Sequence, residues 1–369
     1  MDFDYSQEQD MLRDSVQKFV SKGYDFDHYL KTLALEGQCD PAIWQQFADF
    51  GWLALPVAEA AGGIGGSTLD LALVCEALGS GLVLEPFVAS GILPSALLSS
   101  AGLDDKQAET LGQLAAGELR IAVAVNERAG RFDLSHCQTS ATADGEAYAL
   151  NGNKHCVFNA PNADVILITA KLDDVIELFA VSADQLSLKS YPVLGGGVAA
   201  DIRLDNVHVP ASARLSSTSV VNALEQAMDR ATVGVCAQML GAMGAMLQKT
   251  VMYVGTRKQF GVPIGSFQVL QHRLVDMFIE LEQARSMVLM AAVKADSDDP
   301  VERQKSVSAA KAYLCNAGRL VAQQAVQLHG GIGVTEELDI GHYFRQITRL
   351  SSMYGDAEYH KSRYQALSF

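Results

Sequence analysis

Apolar residues change their spacing twice along this chain, and each change marks a different kind of secondary structure. In roughly the first hundred residues they recur every three or four positions, as Leu12, Val16 and Phe19 do, which predicts amphipathic helices. From about residue 120 they alternate along the chain, as at Ile121 and Val123, which predicts strands. Helical spacing returns after residue 216. This order of helices, strands and helices predicts a fold of the α+β class.

The two changes in spacing divide the chain into three predicted domains. They are an N-terminal helical domain over residues 1–118, a middle β-barrel or sandwich domain over residues 119–215, and a C-terminal four-helix bundle over residues 216–369. Three long C-terminal helices are predicted over about 229–257, 267–288 and 301–328, and helices of this kind pack as antiparallel bundles. In the β domain, Asp144-Gly145 and Asn151-Gly152 are dipeptides typical of hairpin turns.

Composition and charge disfavour several classes of protein. The formal net charge of −15 argues against nucleic-acid binding, because a phosphate backbone needs a basic face. The sequence has no uninterrupted stretch of about 18 apolar residues, so we expect no membrane span, and the acidic start Met1–Asp4 lacks the basic residues of a secretory signal. The six cysteines show no CxxC spacing and the histidines no HxxxH spacing, so we expect reduced thiols, no metal site and a cytoplasmic protein.

Two segments could bind an anionic group, but each also has a purely structural interpretation. Gly330 and Gly331 follow a predicted long helix, where glycine commonly caps the C-terminus. Glycines there also let the pyrophosphate of a dinucleotide approach the backbone closely. Arg257 lies at the end of another long helix, where it either complements the helix dipole or holds a pyrophosphate. The spacing alone leaves both alternatives open.

A set of segments spread along the chain carries a more specific pattern. The set comprises Met1-Asp2-Phe3, Gly51–Leu55 with Gly62–Gly66, Leu204–Pro210, Arg257–Ile264 followed by Gln268, and Gln327–Gly333. Together they resemble the acyl-CoA dehydrogenase family over the whole length of the chain. The last two segments resemble its R-x-x-FG…Q signature and its Q-x-x-GG-x-G segment, which lie seventy residues apart here in the expected helical context.

The resemblance implies an acyl-CoA dehydrogenase-like fold and FAD as the cofactor. It assigns the diphosphate and adenosine part of FAD to seven residues, namely Arg257, Gln259, Phe260, Gln268, Gln327, Gly330 and Gly331. In the family these groups reach across a dimer interface to a flavin whose ring lies on the neighbouring subunit. The implied reaction is α,β-dehydrogenation of an acyl-CoA thioester. A carboxylate removes the α-proton, the β-hydrogen passes as hydride to the flavin, and the electrons leave to an electron-transfer flavoprotein.

The catalytic base is one place where the chain departs from the family pattern. The family base lies in a Tyr-Glu-Gly-Thr stretch near the C-terminus, and this chain reads Met353-Tyr354-Gly355-Asp356 there, so Asp356 is the nearest carboxylate. A smaller branch uses a Glu just before an Arg at the start of the first long C-terminal helix, where this chain has Asp229-Arg230. Arg230 matches the arginine that contacts the bound acyl-CoA. Asp356, Asp229 and the absence of any base in this chain all stay open.

The segments that cradle the flavin ring in the family are a second departure. They read Asn126–Asp133 and Lys154–Asn159 here, with Cys156 in place of a tryptophan and Phe158 in place of a hydroxyl donor. Some members of the family form α2β2 heterotetramers with flavins at only some interfaces. The chain resembles such a small subunit, of the dicarboxylyl- or steroid-side-chain-CoA type, which completes the FAD site of a second acyl-CoA dehydrogenase subunit. The alternatives are a self-sufficient homo-oligomeric dehydrogenase, a non-catalytic subunit, and a related flavin oxidase of nitroalkanes or sulfur compounds.

Overall fold

The computed structural model describes residues 5–102, 104–215 and 219–368 of the chain, and it divides into two compact units. The first unit comprises Met1–Lys31, Thr68–Val83 and Thr232–Phe369, and the second comprises Thr32–Ser67 and Leu84–Ala231. Met1-Asp2-Phe3, which carries part of the family resemblance, and residue 216, where the third predicted domain begins, lie outside the described residues. Because the units follow contacts rather than chain order, the limits of the three predicted domains stay predictions.

The described residues contain eleven α-helices. They are α1 (Gln7–Gly23), α2 (Phe26–Leu33), α3 (Pro41–Asp49), α4 (Thr68–Ser80), α5 (Leu93–Ala101), α6 (Asp105–Ala115), α7 (Val220–Thr256), α8 (Gln268–Lys294), α9 (Pro300–His329), α10 (Asp339–Ser352) and α11 (Ala357–Ala366). The described strands are β1 (Ile121–Ala124), β2 (Ser140–Asp144), β3 (Ala147–Phe158), β4 (Val165–Leu172), β5 (Val175–Ser182), β6 (Ser187–Pro192), β7 (Val198–Pro210), β8 (Arg214–Leu215), β9 (Lys258–Gln259) and β10 (Val262–Pro263).

Helix α1 begins where local sequence chemistry favours a helix start. Ser6 and Gln9 form a capping box, in which the Gln9 amide donates to Ser6 Oγ at 3.2 Å and the Ser6 amide donates to Gln9 Oε1 at 3.1 Å. The helix buries Val16 and Phe19, two of the residues whose spacing predicted it.

The middle of the chain forms one mixed sheet, which lies in the second unit. Its strand order is β6-β7-β3-β2-β4-β5-β8, and β1 pairs with β4 in parallel. The longest pairing joins β3 and β7, which run antiparallel. Side chains including Leu150, Ile166 and Phe179 are completely buried in its core. A mixed sheet between helical parts of the chain confirms the predicted α+β class.

Only one of the two predicted hairpin turns is present. Asp144-Gly145 lies at the turn between β2 and β3, where Asp144 pairs with Ala147. Asn151-Gly152 instead lies inside β3, at a register shift against β7. A Cβ added at Gly152 would lie 2.6 Å from Thr139 Oγ1. The second prediction is therefore wrong, because this glycine allows close packing inside the sheet rather than a reversal of the chain.

The three long C-terminal helices are present as α7, α8 and α9, and each is longer than predicted. The added residues of α7 and α8 are mostly apolar, so the apolar spacing continues beyond the predicted bounds. Helix caps also set the ends. At α9, for example, Asp299 accepts hydrogen bonds from the amides of Val301 and Glu302, and Pro300 occupies the first turn. Helix α7 is long and apolar enough to cross a membrane, but 83% of its most apolar stretch is buried inside the protein. Because the core helix of a soluble protein passes the same test, this helix is weak evidence for a membrane span.

Two close contacts in the first unit hold α4 in place. A Cβ added at Gly241 of α7 would overlap with the carbonyl oxygen of Glu76, and one added at Gly79 would overlap with that of Gln238. The backbones of α4 and α7 therefore touch. At the start of α4, the amide and the hydroxyl of Thr68 both donate to the carboxylate of Asp296, each at 2.7 Å. Asp296 thus satisfies an amide that the helix itself leaves without a partner.

We expect Asp296→Ala to lower the free energy of unfolding by about 1–2 kcal/mol, because it removes the acceptor for the first amide of α4. Urea denaturation followed by circular dichroism measures the change. Asp298→Ala, at an exposed position of the same loop, is the matched control and should change the stability by less than about 0.5 kcal/mol. Equal effects of the two substitutions would contradict the capping role of Asp296.

Candidate functional site

The first predicted motif forms an exposed hairpin between α7 and α8. Arg257 follows the last residue of α7, and its amide donates to the carbonyl of Tyr253 at 2.8 Å. Strands β9 and β10 then pair, and the turn between them consists of Phe260 and Gly261, with φ of +55° and +87°. The ring of Phe260 is 90% exposed. The side chains of Arg257, Gln259 and Gln268 are exposed as well.

The second predicted motif lies where α9 ends. The amide of Gly330 donates to the carbonyls of Gln327 and Val326, so the structure has the predicted glycine cap. With φ of +65° and ψ of −143°, Gly330 adopts a conformation that is almost restricted to glycine. A Cβ added at Gly330 or Gly331 would meet nothing within 4 Å. The backbone of this turn is therefore open to a ligand, so the cap and the binding interpretation are compatible.

The structure brings the two motifs together through a pair of rings that the sequence analysis did not assign to the site. Tyr253 precedes Arg257 by one helical turn, and His329 precedes Gly330 directly. Their rings stack with centroids 4.4 Å apart and an interplanar angle of 27°. Only the adjacency of His329 to the glycines was visible in the sequence.

Asp356, the first predicted base, caps a helix. It is the N-cap residue of α11, and its Oδ1 accepts a hydrogen bond from the amide of Tyr359 at 2.9 Å. It also lines a cavity of about 260 Å³ together with Cys315 and Arg319. At the preceding residue, Gly355, φ is +114°, and an added Cβ would lie 2.5 Å from Tyr359 Cδ1 and 2.6 Å from His360 Nε2. The structure therefore has no room for a glutamate at position 355.

Buried polar groups hydrogen-bond to the backbone near Asp356. His360 is 1% exposed, and its Nε2 donates to the carbonyl of Tyr354 at 3.1 Å while its Nδ1 accepts from Ser308 Oγ at 3.3 Å. Burial, together with the charge of Lys311, lowers the pKa of His360 to about 3. Lys311 is itself completely buried and donates to the carbonyl of Leu350, and burial lowers its pKa.

Asp229, the second predicted base, lies on α7 within the second unit, whereas Asp356 lies in the first unit. Its side chain is 1% exposed. Arg230, the predicted contact of the acyl-CoA, is the next residue of the helix and is partly exposed. The roles of Asp229 as a base and of Arg230 as a contact of the acyl-CoA stay predictions.

The two segments expected to cradle the flavin ring lie side by side in the second unit. The amide of His155 donates to the carbonyl of Asn126 at 2.9 Å, and Lys154 Nζ lies 2.7 Å from Glu127 Oε1. Both charged side chains are buried. Burial alone would raise the pKa of Glu127, but hydrogen bonds from Lys154 and Thr139 outweigh it and lower the pKa to about 2. A buried ion pair with this many hydrogen bonds fixes the two segments to each other.

Cys156, which stands where the family has a ring-packing tryptophan, lies in a polar cluster. It has φ of +51° at a register shift between β3 and β7, and its amide donates to Asp201 Oδ1 at 3.1 Å. The same carboxylate accepts from the hydroxyl of Tyr191 at 2.9 Å, and its other oxygen lies 3.2 Å from His155 Nδ1. Polar side chains thus surround the residue that the family resemblance aligns with the tryptophan, at an irregular point of β3.

Comparison with known proteins identifies the family. The model of the acyl-CoA dehydrogenase N-terminal domain matches residues 6–118, and that of the acyl-CoA dehydrogenase C-terminal domain matches residues 221–366. The chain belongs to the acyl-CoA dehydrogenase family. Members of this family are FAD-dependent oxidoreductases that act on acyl-CoA, so the predicted family, enzyme class and cofactor are confirmed.

Individual acyl-CoA dehydrogenases match nearly the whole chain. Probable acyl-CoA dehydrogenase YngJ from Bacillus subtilis (strain 168) is 29% identical over 375 residues, which cover 97% of each protein. A chain of the ChsE4-ChsE5 complex from Mycobacterium tuberculosis is 27% identical with a TM-score of 0.90, covering 99% of this chain and 98% of that one. A glutaryl-CoA dehydrogenase from Mycobacterium smegmatis in complex with FADH2 shares the fold, with 23% identity, a TM-score of 0.89, and coverage of 98% and 94%.

The residues on the adenosine side fit the cofactor of the acyl-CoA dehydrogenase family. A diphosphate needs a cation and close access to backbone amides, and Arg257 and the open turn at Gly330 and Gly331 offer both. An adenine ring needs an apolar surface, and the exposed ring of Phe260 offers one.

Capping and catalysis by Asp356 can be separated by substitution. We expect Asp356→Ala to lower the free energy of unfolding by about 1 kcal/mol, and Asp356→Ser to leave it nearly unchanged, because serine is also a good N-cap. Thermal unfolding measures the difference. If the serine variant keeps the stability but loses all turnover in an FAD-loaded preparation, Asp356 acts as a base in addition to its cap.

The buried His360 makes the stability depend on pH. Its pKa is about 3 in the folded protein, against an ordinary value near 6.5, so between these values the unfolded chain binds a proton that the folded chain does not. We therefore expect full stability above pH 6.5 and a loss of up to about 1.4 kcal/mol per pH unit below it. Urea midpoints from pH 7.5 to 5 measure the slope. The His360→Gln variant should show a smaller slope, and an unchanged slope would contradict this assignment.

Proposed function

We propose that this chain is one subunit of a heteromeric, FAD-dependent acyl-CoA dehydrogenase. In this proposal it completes an FAD site in which a second subunit binds the flavin ring and supplies the catalytic carboxylate. The observation that carries the proposal is an asymmetry within the chain. The adenosine-side groups are exposed, whereas Tyr354 and Gly355 offer no carboxylate and Asp356 is engaged as a helix cap. A polar cluster around Cys156 also replaces the expected ring wall.

The alignment of the base segment with the family pattern supports this reading. Gly355 has the positive φ that a motif glycine provides, and Asp356 caps α11 as a threonine would. If Gly355 and Asp356 correspond to the Gly and Thr of the Tyr-Glu-Gly-Thr stretch, Tyr354 corresponds to the glutamate. A protonated tyrosine hydroxyl has no carboxylate oxygen with which to remove an α-proton. The chain then needs a carboxylate from its partner.

The chemistry assigned to this chain is binding and positioning. Arg257 neutralises charge on the diphosphate, Phe260 packs against the adenine, and the open turn at Gly330 lets the diphosphate approach the backbone. Arg230 contacts the CoA ester. FAD, when bound, supplies the acceptor for the hydride that leaves the β-carbon, and an electron-transfer flavoprotein takes the electrons onward.

The exposed apolar side chains of α8 support an association of subunits. Val269, Val275, Phe278 and Ile279 are each at least 45% exposed along one helix that begins at the hairpin motif. Apolar side chains grouped in this way mark protein interfaces. The similarity to a chain of the ChsE4-ChsE5 complex favours a heterotetramer over a homotetramer. We propose dicarboxylyl- or steroid-side-chain-CoA esters as its substrates, on the resemblance to small subunits of that type.

The absorption spectrum tests the proposal. The chain purified alone should carry little flavin, and co-expression with a second acyl-CoA dehydrogenase subunit that pairs with it should give a complex with bound FAD that an acyl-CoA bleaches. In that complex Arg257→Gln should reduce the bound FAD at least several-fold, while Lys361→Gln, which removes an equal charge from exposed α11, should not. A lone chain that is fully loaded with FAD and bleached by acyl-CoA would show a self-sufficient dehydrogenase instead.

A further inference from the structure

The two halves of the adenosine-side site lie on helix ends that are seventy residues apart in the sequence. A tertiary contact must therefore determine the distance between them. The hairpin half follows the last turn of α7, and the amide of Arg257 donates a hydrogen bond to the carbonyl of Tyr253. The glycine half follows α9, and His329 is its last residue. The stacked rings of Tyr253 and His329, 4.4 Å apart, are the contact that joins the two.

The ring of His329 is fixed in its orientation. It is 4% exposed, and its Nδ1 lies 2.8 Å from the carbonyl oxygen of Ala325, so Nδ1 carries the proton and donates. The backbone after it packs onto the same side chain, because a Cβ added at Gly333 would lie 3.0 Å from His329 Cβ and 2.8 Å from the carbonyl of Val326. The turn from Gly330 to Gly333 therefore packs directly against the last turn of α9 at Val326 and His329.

The ring of Tyr253 passes this constraint to the hairpin. Tyr253 is partly buried one helical turn before Arg257, and the carbonyl of Arg257 in turn accepts from the amide of Ile264 at 2.8 Å. The base of the hairpin is thus bonded on both sides to the end of α7. Burial also lowers the pKa of His329, so the imidazole is neutral near pH 7 and acts by packing rather than by charge.

We propose that Tyr253 and His329 are a pair of positioning residues, which hold the hairpin from Arg257 to Ile264 and the turn from Gly330 to Gly333 at the spacing that the adenosine diphosphate half of FAD requires. The inference rests on the proposed function, since it presumes that these two motifs bind that half of the cofactor.

A comparison of ring-removing and ring-keeping variants tests the pair in the co-purified complex. Tyr253→Leu and His329→Leu should each weaken the binding of FAD and of ADP by about tenfold in isothermal titration, whereas Tyr253→Phe should bind both ligands like the unaltered protein. The double variant should bind no more weakly than either single one, because the two rings act as a unit. Binding of an acyl-CoA should be unchanged in all of them.

Amide hydrogen exchange gives a readout that needs no cofactor. In Tyr253→Leu the peptides that contain residues 257–264 and 330–334 should both exchange faster, while Tyr253→Phe should leave both unchanged. Variants that lose thermal stability but keep unaltered affinity for FAD and ADP would overturn the positioning role and leave the proposed function intact. An unaltered complex that binds neither FAD nor ADP would overturn the proposed function and this inference together.

Discussion

The contact between the backbones of α4 and α7 is the constraint on which the first unit depends. Gly79 and Gly241 remove the side chains that would keep the two helices apart, so the carbonyls of one helix lie against the Cα atoms of the other. Such contacts tolerate almost no substitution at the glycines, because any added atom must displace backbone rather than a flexible side chain. The direction of α7 is therefore fixed well before its last turn. Since the hairpin motif is bonded to that last turn, the packing of two glycines helps to determine where Arg257 lies.

Two completely buried lysines lie beside the segments that the family resemblance assigns to the flavin ring and to the catalytic base. Lys154 and Lys311 are both completely buried, and each holds a segment that the family uses for chemistry. Lys154 fixes the ring-side segments through Glu127, and Lys311 fixes the end of α10 through the carbonyl of Leu350. Burying an ammonium group costs free energy, so we infer that each lysine serves to hold the segment to which it is hydrogen-bonded. The reactive positions of these segments nevertheless hold a capping aspartate, Asp356, and a half-buried thiol, Cys156. The family pattern has a catalytic carboxylate and a tryptophan there.

The sequence predicted those features of the fold that depend on local periodicity and capping. The change from helical to alternating spacing near residue 120 located the sheet, and the apolar spacing from Phe267 onward located α8. The Asn151-Gly152 turn was wrong because a glycine that avoids Thr139 in a sheet and a glycine that reverses the chain look alike in sequence. The stack of Tyr253 on His329 could not be predicted, because it joins residues of two helices whose relative register only tertiary packing determines. The cap at Asp356 could have been predicted, since aspartate is a preferred residue at the N-cap position of a helix.

The role of Asp356 shows why a carboxylate near the right place in a sequence is weak evidence for a base. A catalytic carboxylate must have a free oxygen directed at the proton it removes. Oδ1 of Asp356 accepts from the amide of Tyr359, and the residue lies against the helix that it caps. Aspartate is also one methylene shorter than glutamate, and the cap holds its Oδ1 at the start of α11. The same helix start therefore favours an aspartate for stability and disfavours it for catalysis, and this conflict is resolved if the carboxylate comes from a second subunit.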